Sequence, residues 1–216
     1  MEVVVAGGHG KIAMRLLGLL AERGDRARGL IRNADHAPEL ERVGAEPVVF
    51  DLEHDEDLAA QLTGADAAVF AAGAGPGSGA ERKRTVDLGG AVKLIDACVE
   101  AEVPRYAMVS AMGVDREGWP EQMRPYYEAK RDADEAVRSS RLDHTIVRPG
   151  RLTNERGSGR VELGSPLDHA GEVTRDDVAA LLLACLYEPR SAGLTMDVLG
   201  GETPIARALA ALVGAR

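Results

Sequence analysis

The stretch VVVAGGHGKIA, residues 3–13, leaves few folds open to this chain. Four apolar residues run directly into Gly7-Gly8-His9-Gly10, and an apolar helical pattern (Ile12, Leu16, Leu17, Leu19, Leu20) begins at once. A uniformly apolar strand is one buried on both faces, as in a parallel sheet covered by helices. The spacing is Gly7-x-x-Gly10-x-x-Ala13, placed where the strand turns into the helix. At such a turn the first glycine permits the tight bend, the second lets a pyrophosphate approach the backbone, and the small third residue keeps helix and sheet close. The helix N-terminus adds free N–H groups and the positive end of a dipole. Tight βα turns also use glycine for purely structural reasons, but strand, glycines and helix here agree in order and position with a dinucleotide-binding loop.

The rest of the chain repeats the alternation. Strands are expected at residues 27–31, 46–50, 65–72, 105–110 and 144–149, with helices near 35–43, 55–62, 81–101 and 125–140 between them. Past Pro149 comes a Gly- and charge-rich stretch (151–171), a helix over 175–188, a strand over 194–199 and a terminal helix over 204–213. The 175–188 helix carries a capping-box pattern, Thr174 with Asp177 three residues on. The expected fold is α/β: a doubly wound parallel sheet, a Rossmann fold, with helices on both faces and right-handed crossovers. Its 216 residues form one domain, with residues 151–216 supplying a small substrate-side cap and the last strand and helix.

Composition narrows the function classes. A formal net charge of -9 argues against a nucleic-acid-binding surface. No apolar run reaches the roughly 18 residues of a membrane span, and the chain opens on a strand-like run without a secretory leader pattern. Cys98 and Cys185, each inside an apolar helical pattern, read as small buried hydrophobes of a reducing, cytoplasmic protein. The five histidines show no ligand spacing and there is no CxxC, so no metal site is expected.

The end of the second strand selects the dinucleotide. An NAD site usually places Asp or Glu there for the ribose 2′-hydroxyl. This chain has Arg32 and Asn33, and a guanidinium suits a 2′-phosphate, so NADP(H) is expected, with NAD the alternative. Asp35 reads as the start of the next helix. Asp51, followed by Leu52, either accepts from the adenine amino group or caps the helix beginning near Asp55. Ala71, Ala72 and Gly73 are small enough to let a cofactor pass over the sheet edge.

A second informative stretch is RPYYEAKRDADEAV. Tyr126 and Lys130 are four apart and share a helix face, Pro125 suits that helix's first turn, and Ser110 ends strand five at the ligand-binding edge. Together they can support hydride-transfer chemistry: Tyr126 donating a proton to a carbonyl oxygen, Lys130 lowering the tyrosine pKa and holding a ribose hydroxyl, Ser110 bonding the substrate oxygen. Of the weaker features, His144 reads as a packed edge histidine, His169 in the 165–171 loop as an ordinary loop histidine with facing the substrate the lesser alternative, and Trp119 and Met123 as a cover over the site mouth or a surface patch. Arg82, Lys83 and Arg84 read as a solvated helix start, and Asp87, Glu100 and Asp132 as exposed helix charges.

With these pieces in order (VVVAGGHGKIA, LIRN, VFDL, YAMVSAMG, PYYEAKRDADEAV, LDHTIVRPG, EVTRDDVAALLLACL, VLGGETPI), the chain resembles, over essentially its whole length, the atypical short-chain dehydrogenase/reductases. Within them it is similar to the compact NAD(P)-binding proteins akin to biliverdin IXβ (flavin) reductase and to epimerase/dehydratases. The resemblance implies that Gly7, His9, Gly10, Lys11 and Ile12 line the pyrophosphate and that Arg32 meets the 2′-phosphate. It further implies Ala71–Gly73 along the ribose and Arg148, Pro149 and Gly150 at the nicotinamide end. Relatives commonly end strand five with two serines where this chain has Ser110-Ala111, some lack the tyrosine or do not use it, and the glycine-rich 72–79 loop is a candidate lid. The expected activity is NADP(H)-dependent oxidoreduction of a small carbonyl, quinone or flavin-like molecule. The alternatives are an epimerase/dehydratase and a non-catalytic NADP(H)-binding redox sensor. The expected partner is a small-molecule substrate, with neither nucleic acid nor membrane, and the chain is expected to be a monomer or homodimer.

Overall fold

The alternating pattern folds, in a computed structural model that describes residues 1–75 and 77–215, into a mainly parallel sheet between two helical layers. In chain order the elements are β1 (Glu2–Ala6), α1 (Lys11–Glu22), β2 (Arg26–Ile31), α2 (Ala37–Arg42), β3 (Glu46–Val49), α3 (Leu58–Leu62) and β4 (Ala67–Phe70). Then come α4 (Ala80–Arg82), a π-helical segment (Lys83–Gly89), α5 (Gly90–Glu100), β5 (Arg105–Val109), α6 (Arg124–Arg138) and β6 (Asp143–Pro149). The chain ends with β7 (Arg151–Thr153), β8 (Arg160–Gly164), β9 (Glu172–Thr174), α7 (Arg175–Tyr187), β10 (Leu194–Gly200), β11 (Thr203–Pro204) and α8 (Ile205–Gly214).

Among the described residues the sheet order is β11-β8-β10-β6-β5-β4-β1-β2-β3. It is parallel from β3 through β10, whereas β8 pairs antiparallel with β10 and with β11. The order reverses between β1 and β4, which opens a crevice at the carboxyl ends of those strands, where open α/β sheets bind ligands. Alternation along β1 shows why its run is apolar throughout. Val3 and Val5 pack with α1, α7 and α8, while Val4 and Ala6 pack with α3, α5 and α6.

Three expectations change. The 151–171 stretch is not only loop: it contributes β7 and β8, and β7 pairs with β9 apart from the main sheet. In β8 only Val161 is fully buried, so the strand carries no readable alternation. The helix expected over 81–101 is interrupted by the π-helical Lys83–Gly89, a widening found at functional positions more often than elsewhere. The capping box at α7 is half formed. Thr174 Oγ1 accepts the Asp177 N–H at 3.0 Å, but the Asp177 carboxylate accepts the Gly159 and Ser158 N–H groups at 2.7 and 3.1 Å and so ties down the loop before β8. No helix among the described residues is long and apolar enough to cross a membrane.

Candidate functional site

The glycine loop is dictated by close backbone contacts. Gly7 has φ +78°, and a Cβ there would lie 2.6 Å from Ala72 Cα at the end of β4. A Cβ on Gly8 would lie 2.8 Å from Gly29 Cα in β2, and the Gly8 N–H donates to the Leu30 carbonyl at 2.8 Å. Gly8 stands outside the G-x-x-G spacing, although Gly29, a glycine inside a strand, is the usual mark of such a close approach. Gly10 is the N-cap of α1 and supplies no side-chain hydrogen bond, so the N–H groups of the first helical turn have no side-chain cap at the crevice that Gly7, His9 and Gly10 line. A cradle that excludes Cβ atoms, beneath an uncapped helix N-terminus, fits a diphosphate.

From this loop a cavity of about 500 Å³ runs along the sheet edge. It brings together ten of the expected residues: Gly7, His9, Gly10, Arg32, Asn33, Asp51, Leu52, Ala71, Ala72 and Gly73. Others, including Ser110, Tyr126, Arg148 and Gly150, stand outside it. Ile12 packs in the core, so only its backbone belongs to the loop; Lys11 is exposed, Pro149 is buried in β6, and Lys130 lies deeper under β5. Of the 72–79 loop, Pro76 falls outside the described residues.

The structure adds residues that no local pattern marks. His36 stacks on His9 with ring centroids 3.6 Å apart, and His9 Nε2 meets Glu39 at 3.0 Å. Glu53 accepts from the Thr85 hydroxyl at 2.6 Å and from Arg82 at 2.8 Å, with Arg32 at 3.7 Å. The Thr85 hydrogen bond, helped by Arg82, holds the Glu53 carboxyl below the usual carboxylate range against the opposing effect of burial. Arg82 is therefore not a solvated helix start. Asn33, whose side chain accepts the Asp35 N–H at 3.0 Å, opens the turn before α2 in place of Asp35. The helix near Asp55 begins at Leu58, capped by Asp57, and the Asp51 carboxylate instead accepts the Glu53 N–H at 2.9 Å.

Beneath the cavity lies the Ser110, Tyr126 and Lys130 region. Tyr126, Lys130 and Asp134 recur at four-residue intervals on α6, so they form one stripe facing the sheet. Lys130 is buried and bonds Asp87 Oδ1 at 3.3 Å and the Val109 carbonyl at 3.2 Å. Asp87, expected to be an exposed helix charge, is 1% exposed within the π-helical segment and accepts the Ala74 N–H at 3.0 Å. The lysine charge is thus directed at Asp87. Burial raises the Tyr126 pKa, and the nearby Asp87 charge raises it further, so Tyr126 stays a neutral phenol at physiological pH. Lowering of that pKa by Lys130 is not what this arrangement produces.

Ser110 Oγ is also buried, and it lies beside Asp134 close enough to draw that carboxyl's pKa down, though without good hydrogen-bonding geometry. Asp134 is fully buried and pairs with Arg148 at 2.8 Å; burial raises its carboxyl pKa, and Ser110 and Arg148 offset part of that. Arg148 also reaches Asp115 at 2.5 Å, so its side chain is held beneath α6. At the start of α6, Trp119 stacks on Tyr127 with centroids 5.5 Å apart, and Tyr127 meets Tyr126 edge-on. His144 Nδ1 contacts the Leu142 carbonyl at 3.2 Å as a packed edge residue, and His169 sits exposed between Asp168 and Glu162.

Comparison with known proteins agrees with this geometry. The model of a family described as NAD(P)H-binding matches residues 7–189. The uncharacterized sugar epimerase YhfK of Bacillus subtilis is 41% identical over 212 residues, which is 97% of this chain and 99% of YhfK. A Bacillus halodurans structure described as a candidate NAD-dependent epimerase/dehydratase is 40% identical, covering 98% of this chain and 99% of its own, with a TM-score of 0.93. The oxidoreductase ylbE of Lactococcus lactis is 29% identical over 99% of this chain and 97% of its own, with a TM-score of 0.89. A glycine cradle at the switch point of a Rossmann sheet, matched along most of the chain, makes this protein a member of the NAD(P)H-binding family, whose relatives are oxidoreductases and epimerase-like proteins.

Proposed function

We propose that the protein is an NADP(H)-dependent oxidoreductase acting on a small molecule, with quinone- or flavin-like acceptors favoured over simple carbonyls. The observation that carries the cofactor choice is the cationic end of the cavity, where Arg32 follows β2 and Arg82 stands opposite, both partly exposed. Backbone N–H groups of the first turn of α1 would hold the diphosphate, the Gly10 N–H being used within the loop by the Gly7 carbonyl at 2.7 Å. Ala71, Ala72 and Gly73 leave room for the ribose, and Arg32 would receive the 2′-phosphate. The bound cofactor supplies the hydride.

The test is titration with NADPH and NADH of wild type and Arg32→Ala. Charge-assisted hydrogen bonds contribute about 1.5–3 kcal/mol, so NADPH affinity is expected to fall about 10- to 100-fold, with NADH affinity nearly unchanged. Equal binding of both cofactors by the wild type would remove the NADP(H) reading.

The acceptor preference rests on Tyr126. A phenol whose pKa is raised, beside a lysine engaged by Asp87, is a poor source of a proton for a developing alkoxide. Its O–H serves as a neutral hydrogen-bond donor to substrate. Quinones and flavins can take their proton from solvent. Accordingly, Tyr126→Phe is expected to keep kcat with a flavin or quinone acceptor within about threefold, whereas loss of a true general acid costs about 10²–10⁴-fold. A loss in that larger range would return the protein to tyrosine-assisted carbonyl chemistry.

The epimerase reading is favoured by the similarity to YhfK. It differs in retaining its cofactor through the cycle, so it would interconvert a sugar derivative with no net change in NADPH absorbance.

A further inference from the structure

Glu53 lines the same cavity as Arg32 and Arg82. Its side chain is 15% exposed, while the Arg32 and Arg82 side chains beside it are 60% and 42% exposed. Three chain segments meet on this one carboxylate: the end of β2 through Arg32 at 3.7 Å, α4 through Arg82 at 2.8 Å, and the π-helical segment through Thr85 at 2.6 Å. An anion held by two guanidiniums and a hydroxyl at the mouth of a cavity is also how proteins hold a phosphate monoester. Here the protein supplies that anion itself.

We propose that Glu53 is a specificity-determining residue, a built-in carboxylate that holds Arg32 and Arg82 together as a pair and competes with a 2′-phosphate for them. The inference rests on the reading that Arg32 receives that phosphate, and it adds Arg82 as the second arginine of the subsite. Its physical content is a balance of two opposing effects. The fixed carboxylate keeps both guanidiniums oriented in a cavity where each would otherwise lose side-chain entropy on binding. Its like charge then repels the incoming phosphate and lowers the selectivity that two arginines alone would give. NAD(H), lacking the 2′-phosphate, meets no such repulsion.

The experiment compares wild type, Glu53→Gln, Arg82→Ala and Arg32→Ala by titration with NADPH and NADH. 2′-AMP and 5′-AMP, which differ in the position of one phosphate, serve as competing fragments. Glutamine removes the charge but keeps one carbonyl oxygen to accept from Arg82, while its amide N–H can donate to the Thr85 hydroxyl in place of the lost acceptor. Glu53→Gln is therefore expected to raise the NADPH:NADH affinity ratio about 2- to 5-fold, the size of one partly screened charge contact, and to tighten 2′-AMP but not 5′-AMP. Arg82→Ala is expected to lower NADPH and 2′-AMP affinity several-fold with NADH unchanged.

If Glu53→Gln weakens both cofactors equally, Glu53 is only a strut and the inference fails. It fails also if Arg32→Ala removes the NADPH preference while Glu53→Gln and Arg82→Ala leave the ratio where it was; the NADP(H) reading then stands alone. If Arg32→Ala leaves the ratio unchanged, that reading fails and this inference with it.

Discussion

Gly7→Ala is expected to reduce dinucleotide affinity by at least about 100-fold, equivalent to about 2.7 kcal/mol. Two independent costs act at this position. A left-handed backbone conformation costs an L-residue roughly 1–2 kcal/mol, and Gly7 sits at φ +78°. The added Cβ would also meet Ala72 Cα at 2.6 Å and Ala72 N at 2.8 Å. These are backbone atoms just past the end of buried β4, next to Ala71, whose N–H is bonded to the Ala6 carbonyl, so they cannot rotate aside as a side-chain tip would. The loop must lift off β4, and the helix N-terminus that faces the crevice moves with it. Gly24→Ala is the informative control. Gly24 has φ +85°, but a methyl added there would meet nothing within 4 Å, so this variant should lose fold stability without losing cofactor. Isothermal titration and denaturant unfolding of both variants separate the two costs. NADPH affinity within a few fold of wild type for Gly7→Ala would show that the diphosphate does not depend on this turn.

Arg148→Ala is expected to destabilise the fold by about 3–5 kcal/mol, the usual result of leaving a buried charge without its partner. Asp134 is fully buried, and Arg148 is its close counter-charge at 2.8 Å; Arg138 stands farther off at 4.0 Å. Removing Asp134 and Arg148 together, as Asp134→Leu with Arg148→Met, should recover most of the loss, because the desolvation cost of the pair disappears with the charges. Urea midpoints for the single and double variants measure this directly. A loss below about 1 kcal/mol for Arg148→Ala would mean that Arg138 or the protonated form of Asp134 carries the compensation.

The readable parts of the chain are those in which a residue's role is set by its immediate neighbours. The strands β1, β2 and β4–β6, the glycines of the first turn and the position of Arg32 just after β2 all follow from patterns a few residues long. The short strands β7, β8, β9 and β11 do not, because they pair at an edge with few buried side chains to impose a period. Asp87 looks like any exposed helix charge until the π-helical segment packs against α6 and turns it toward Lys130. Glu53 and Arg82 likewise belong to segments far apart in the chain, and only the folded sheet edge brings them together with Arg32.

Local sequence thus determined the Rossmann architecture and the glycine floor of the crevice, because strand period, turn glycines and helix starts act over one or two turns of chain. The tertiary structure decided the electrostatics: that Lys130 faces Asp87, that Tyr126 remains a neutral phenol, and that Arg32 shares Glu53 with Arg82. The physical reason is that pKa values and ion pairs depend on which charges are buried side by side. That is settled by the packing of helices onto the sheet, over separations in sequence that no local pattern spans.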